Sequence, residues 1–192
     1  MPSSWRVACV LISAIAMVQS QQYVVQRDFR TSYQYNSFVV LTPDEQQVIY
    51  RIETQYSLTY SGTIKYLLPL ADSITVGHID AFLGSSRIFT FRILNSRLGQ
   101  WIDGRIYQRA PFVHIMELGR FQQLVIQSTP PRTPEMSSLN VLRFSDGLQM
   151  DRICAAVSQR SPWLTTYDLH LFTNEYPVEV YLVGLAVVQR YL

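Results

Sequence analysis

His78-Ile79-Asp80 is the closest this chain comes to a pattern that does chemistry. On an extended strand, residues two apart project from the same face, so an imidazole at 78 and a carboxylate at 80 stand side by side. Such a pair would serve as a base with its orienting acid, or as two ligands of a metal. The same period places Ile79, Ala81 and Leu83 on the opposite, apolar face. The pair therefore faces water, where an ion pair contributes little. His114 and His170 have no acidic or cysteine neighbours at ligand spacing, and a zinc site draws on three or four converging ligands. The chain has no Gly-x-Ser-x-Gly elbow, phosphate loop, His-Glu-x-x-His or Cys-x-x-Cys. Asp72 and Asp146 read as turn residues that cap the backbone. We expect no catalytic residue, no cofactor site and no metal site. The alternative from another class is a secreted hydrolase assembled from the distant residues His78, Asp80 and His170.

Two further residue types bear on chemistry. Cys154 sits in the mostly apolar run Met150 to Val157 and reads as a buried, inert thiol rather than a bridge or nucleophile. Twelve tyrosines, with Trp101 and Trp163, would suit an aromatic surface for sugars or apolar small molecules. Many of them fall at positions assigned below to the inward face, so core packing is their expected duty.

The chain has 192 residues, of which 48% are hydrophobic and 12% aromatic, enough to pack a core. Its formal charge is +2, and of its 16 basic residues only Lys65 is a lysine. The arginines are scattered among 14 acids without forming a run, which gives no footprint for nucleic acid. The first twenty residues read as a cleaved signal peptide. Arg6 charges the start, Val7 to Val18 is an apolar run, and Val18-Gln19-Ser20 suits a signal peptidase. Twelve residues of helix reach about 18 Å, short of the roughly 30 Å of a bilayer core. Cleavage after Ser20 removes Cys9 and leaves Cys154 alone, so no internal disulfide is expected. No Asn-x-Ser/Thr sequon occurs. We expect a secreted, extracellular protein with no stable membrane span after cleavage.

The elements that must position these residues are strands. In Val48 to Tyr60, Val48, Tyr50 and Ile52 alternate with Ile49, Arg51 and Glu53; Phe89, Phe91 and Ile93 alternate with Thr90 and Arg92. Ser61-Gly62, Ala71-Asp72-Ser73, Gly84-Ser85-Ser86 and Asn95 to Gly99 break the runs. Pro69 suggests an edge or a bulge. Asp103-Gly104 resembles a hairpin turn, but the alternation from Trp101 to Tyr107 favours one continuous strand with Gly104 on its buried face. Thr42-Pro43-Asp44-Glu45 reads as a turn. Thr129 to Pro134, with three prolines, reads as an exposed loop.

A looser copy of this block follows. Leu142 to Asp146 answers Leu68 to Asp72, and Ile153, Ala155 and Val157 answer Ile79, Ala81 and Leu83. Tyr167, Leu169 and Leu171 answer Phe89, Phe91 and Ile93; Val178, Glu179, Val180 and Leu182 answer Ile102, Asp103, Gly104 and Ile106. Val187 to Leu192 extends the last strand. The expected architecture is all-β and predominantly antiparallel, as sheets or a sandwich, in two similar halves. It divides into a signal peptide (1–20), an N-terminal arm (21–47), repeat one (48–107), a connector (108–120) and repeat two (121–192). Ile79, Phe91, Ile106, Ile153, Leu169 and Leu182 are the expected shared core.

The first repeat resembles the insect multiprotein bridging factor two family, small proteins that mostly carry signal peptides. The resemblance runs over Val48 to Tyr107: Ile64 through Asp72, Gly77, Leu83-Gly84-Ser85, Phe89 to Leu94, Ser96-Arg97-Leu98-Gly99 and Ile106-Tyr107. Single glycines stand at Gly77 and Gly84 where the family has pairs, and Leu98 separates Arg97 from Gly99. The resemblance implies a secreted, all-β, non-enzymatic module with no catalytic residues, and the family name implies a transcriptional coactivator. The signal peptide and the lack of a basic cluster favour the extracellular reading. The expected function is thus a secreted, non-enzymatic binding or structural protein. Its expected partner is an extracellular protein or a small apolar ligand.

Overall fold

The computed structural model describes residues 20–28, 35–56, 59–67, 73–82, 88–95, 98–120, 122–128, 140–160 and 166–188. Residues 1–19 of the segment read as a signal peptide, Asp72, Pro69, Leu83 and the proline-rich segment 129–134 lie outside them. Among the described residues there are twelve strands and one helix: β1 (Gln21–Asp28), β2 (Tyr35–Leu41), β3 (Val48–Tyr56), β4 (Thr59–Tyr66), β5 (Ile74–Phe82), β6 (Ile88–Asn95), β7 (Gln100–Ala110), β8 (Val113–Leu118), β9 (Gln122–Ser128), β10 (Asn140–Asp146), β11 (Ile153–Gln159), β12 (Thr166–Leu171) and α1 (Val178–Val188).

Each strand pairs antiparallel with its neighbours in sequence, and β1 pairs with β12, so the meander closes into one barrel. The alternation expected of half-buried strands is what builds the wall. Along β6, Phe89, Phe91 and Ile93 point into the barrel while Ile88, Thr90 and Arg92 point out. The outer face carries ion pairs between adjacent strands: Lys65–Glu53 at 2.8 Å, Arg92–Asp103 at 2.7 Å, Arg160–Asp168 at 2.9 Å, and Arg105–Glu117. The wall is thus apolar on its inner side and carries ion pairs on its outer side. No helix among the described residues is long and apolar enough to cross a membrane.

This geometry corrects four expectations. The sheets form a barrel, not a sandwich. A closed barrel has no edge strands, so every wall strand is paired on both sides. The segment read as a connector, 108–120, carries the end of β7 and all of β8. The segment read as an N-terminal arm, 21–47, supplies β1 and β2, and β1 is the strand that closes the ring. The fourth correction is the largest: Val178 to Leu182, read as a strand, opens α1, and Val187 and Val188 end it.

The reason lies in the space left to the chain. After Leu171 both edges of the sheet are taken, because β12 pairs with β11 and β1. An extended segment entering the apolar lumen would have no partner for its N–H and C=O groups, whereas a helix satisfies them internally. All eleven residues of α1 are buried. A helix apolar on every side belongs in a core, and here the core is the lumen of a barrel wider than the eight strands whose side chains alone fill the interior. Five valines and Gly184 give the segment weak intrinsic helicity, so its surroundings impose the helix. Gly184 lets it lie close to the wall: a Cβ there would stand 2.5 Å from Cε1 of Phe144 and 3.1 Å from Cδ1 of Ile126. The Phe144 ring meets Tyr181 edge-on at 5.3 Å.

Other expectations match. β7 runs unbroken through Asp103-Gly104, and a Cβ on Gly104 would overlap the Phe91 ring. Ile79, Phe91, Ile106, Leu169 and Leu182 all belong to the core, Leu182 from the helix. Ile153 is only half-buried: a bulge between Phe144 and Ser145 shifts the β10–β11 register and turns Cys154 inward instead. Of the aligned blocks, those at β5 and β6 fall opposite strands β11 and β12, as any pair of strands would, and the block aligned with β7 is the helix.

At the closing seam, Thr42 to Gln47 forms a turn in which Glu45 adopts a φ of 60°. Its carboxylate pairs with Arg160 beyond β11 and accepts a hydrogen bond from Gln26 of β1 at 3.4 Å, and Arg160 also pairs with Asp168 of β12. Four elements are thus clasped across the joint that makes the sheet a ring.

Two outcomes follow from this packing. Ile79→Ala empties a fully buried position and should lower stability by about 2–5 kcal/mol, out of the roughly 5–15 kcal/mol typical of a domain. His78→Ala, on the outer face, should leave the denaturation midpoint almost unchanged, and the reverse order would show the register to be wrong. Gly184→Leu drives a side chain into Phe144 and Ile126 and should abolish cooperative thermal unfolding, which a calorimetric scan would reveal.

Candidate functional site

The residues singled out for chemistry do not converge. His78 and Asp80 lie on the outer face of β5, both exposed, and the Trp101 ring lies 6.0 Å from that of His78 between centroids. His170, on β12, is five strands further round the wall by the shorter path. His114 projects inward from β8 and is buried, and burial pulls its imidazole below the usual histidine range. Cys154 is a buried free thiol pushed upward, first by burial and then by the Asp146 charge. Asp146 caps its turn as expected, accepting backbone N–H bonds from Leu148 at 2.7 Å and Gln149 at 3.1 Å. Among the described residues no group of three or more His, Cys, Asp or Glu could hold a metal ion.

What the tertiary structure does bring together lies at the end of the barrel where the chain enters the lumen. Glu179, in the first turn of α1, is 2% exposed. The Tyr50 hydroxyl donates to its Oε1 at 3.1 Å. Tyr66, the register partner of Tyr50, packs against it edge-on at 5.2 Å, and Tyr23 of β1 is the third ring of the group. A carboxylate in the first turn also meets the positive end of the helix dipole. Burial and then the Glu179 charge push Tyr50 far above the ordinary phenol range and raise Tyr23. Enclosed in this way, Glu179 anchors the start of the helix against three strands. The sequence reading missed it by placing residue 179 on the outward face of a strand. The signal that marks it is a single acid inside an apolar run of eleven.

Outside the lumen, the same end carries an apolar rim. Of the eight large apolar residues exposed among those described, Ile74, Leu98, Trp101, Leu148, Met150 and Phe172 sit at this end; Ile88 and Phe112 sit at the other. Leu148 is 89% exposed, Leu98 68% and Met150 57%. Tight turns hold these tips out: Gly99 takes a φ of 63°, open to glycine without strain. Exposed acids stand among them at Asp44, Asp151 and Glu175.

A second feature lies toward the opposite end, across β2, β3 and β4. Ser37, Glu53 and Thr63 share one row of the sheet, and Gln55 and Ser61 the next. Between the rows, Thr54 pairs with Gly62, and together these residues line a cavity of about 200 Å³.

Fold and surface together define a class: a closed antiparallel barrel filled by its own C-terminal helix, charged on its wall and apolar at one rim. Comparison of the chain with models of known families, with curated proteins and with solved structures found no match in any of the three.

The buried tyrosines give the stability a definite pH dependence. Burial raises Tyr176 to about 12, and Tyr23, Tyr50 and Tyr181 rise as well. In the unfolded chain a tyrosine ionises near 10. Above that pH the unfolded chain binds fewer protons than the folded one, so stability falls as pH rises. The contribution of these groups should be intact below about pH 10 and lost progressively toward pH 12. Urea midpoints measured from pH 8 to 11.5 should bend downward near 10, and Tyr50→Phe should make the decline shallower. An unchanged slope in that variant would place Tyr50 outside the buried cluster.

Proposed function

We propose that this is a secreted, non-enzymatic protein with a binding or structural role, akin to secreted members of the insect multiprotein bridging factor two family, that docks an extracellular partner protein on its apolar rim. The observation that carries the reading is the crowding of six exposed large apolar residues at one end of a barrel whose wall is otherwise charged. Exposed apolar tips grouped this way mark interaction surfaces. Glu175 at the rim is already paired with Arg152 at 2.9 Å, so the surface suits a partner face that is chiefly apolar. The lumen holds α1, which favours the rim over an internal site for a small apolar ligand. The separation of His78 and Asp80 from His170 leaves the hydrolase alternative without a common cleft.

Protein recovered from the medium of secreting cells should begin at Gln21. Crosslinking in that medium should join the full mature chain to a partner, and Leu98→Ser/Leu148→Ser/Met150→Ser should lose the crosslinked species without changing thermal stability. An uncleaved leader, or the same crosslinked species from the triple variant, would overturn the proposal.

A further inference from the structure

The β7–β8 hairpin turns on Pro111 and Phe112, between the register partners Ala110 and Val113. Phe112 takes a φ of 61°, in the left-handed region where a bulky side chain crowds its own backbone. Proline followed by a residue of positive φ is the pattern of a turn whose second position favours glycine or asparagine. Here that position holds a phenylalanine, and it is 43% exposed. Its carbonyl accepts hydrogen bonds from the Ser128 N–H at 2.9 Å and the Ser128 hydroxyl at 3.4 Å, which fix the turn. A bulky residue held in strain and still open to solvent is accounted for by a contact outside its own chain. We infer that the Phe112 tip docks on the apolar rim of a second copy of this chain, so that copies join head to tail. The inference rests on the reading of the rim as a docking surface and names its partner.

Charge selects the second copy. Arg109 is exposed beside the tip, and Arg143 is exposed two strands across, opposite Gln127, which lies opposite Val113. Neither arginine joins an ion pair among the described residues. At the rim, Leu148, Met150 and Asp151 share one exposed turn, and Asp44 lies exposed in another. Among the described turn residues of that end, Asp44, Asp146, Asp151 and Glu175 outnumber Arg120 and Arg152. Two rims face to face would set acidic end against acidic end, and two tips would oppose their arginines. The unlike ends are the pairing in which apolar meets apolar and the charges attract. Tip and rim sit at opposite ends of the barrel, so the contact joins different patches and does not close on a twofold axis.

The test is sedimentation of the mature chain over a range of concentrations. Its average mass should rise with concentration and pass that of a dimer. Phe112→Gly removes the ring and relieves the backbone, so it should weaken self-association on the order of tenfold or more without lowering the denaturation midpoint. Arg109→Glu should weaken it as well. The rim variant Leu98→Ser/Leu148→Ser/Met150→Ser should also stay monomeric. Mixed together, the Phe112→Gly and rim variants should form one-to-one dimers that grow no further, because each supplies the face the other lacks. A parent chain that is monomeric throughout, a dimer that does not grow, or Phe112→Gly associating like the parent would overturn the inference. If the rim-dependent crosslinked species proves to hold a different protein, the head-to-tail contact fails and the rim reading stands. If that species survives in the rim variant, both fail.

Discussion

The width of the lumen is the constraint on which the rest depends. Closing twelve strands removes every exposed sheet edge, but it also opens an interior that side chains from the wall do not fill. An empty apolar cavity of that size would forfeit contacts along its whole lining. The eleven-residue helix, about 16 Å long at 1.5 Å per residue, supplies the missing volume. Wall and helix are therefore one folding unit. The wall gives the helix the apolar surroundings its composition demands, and the helix gives the wall something to close around. Gly184 against Phe144 marks how tightly the two are matched.

Polar interactions then decide register and position. Inside, Tyr50 and the helix dipole hold Glu179 at the mouth of the lumen, which fixes how far α1 is inserted. A buried carboxylate in a poor place is costly, so this contact discriminates against other insertions more than it adds stability. Outside, Glu45, Gln26, Arg160 and Asp168 meet at the β1–β12 seam, where residues from the two ends of the chain must find each other. Each surface pair alone contributes little. Their joint placement favours the closing register over a sheet left open.

Because the lumen is filled, contact with other molecules falls to the outside, and the two ends of the barrel differ. The end where the helix enters presents apolar turn tips with acids among them. Toward the other end, β2, β3 and β4 shape a shallow hollow beside the Lys65–Glu53 ion pair.

The alternation of apolar and polar residues was enough to read an antiparallel all-β chain, the inward phase of Ile79, Phe91 and Ile106, the outward placement of His78 and Asp80, and the unbroken strand through Gly104. These are local properties: a period of two states which face is buried without saying what buries it. The same pattern misread Val178 to Leu182, since Val-Glu-Val-Tyr-Leu alternates as well as any strand here. It also missed the strand in 113–118 and the bulge that displaced Ile153. Sandwich and barrel differ only in whether the first strand meets the last, a contact between residues more than a hundred apart in the chain. No periodicity encodes that. Once the ring had closed, no strand edge remained for the C-terminal segment, and the need to satisfy its own backbone in an apolar lumen made it a helix. The sequence determined which side chains face inward; only the tertiary structure decided that they face a helix.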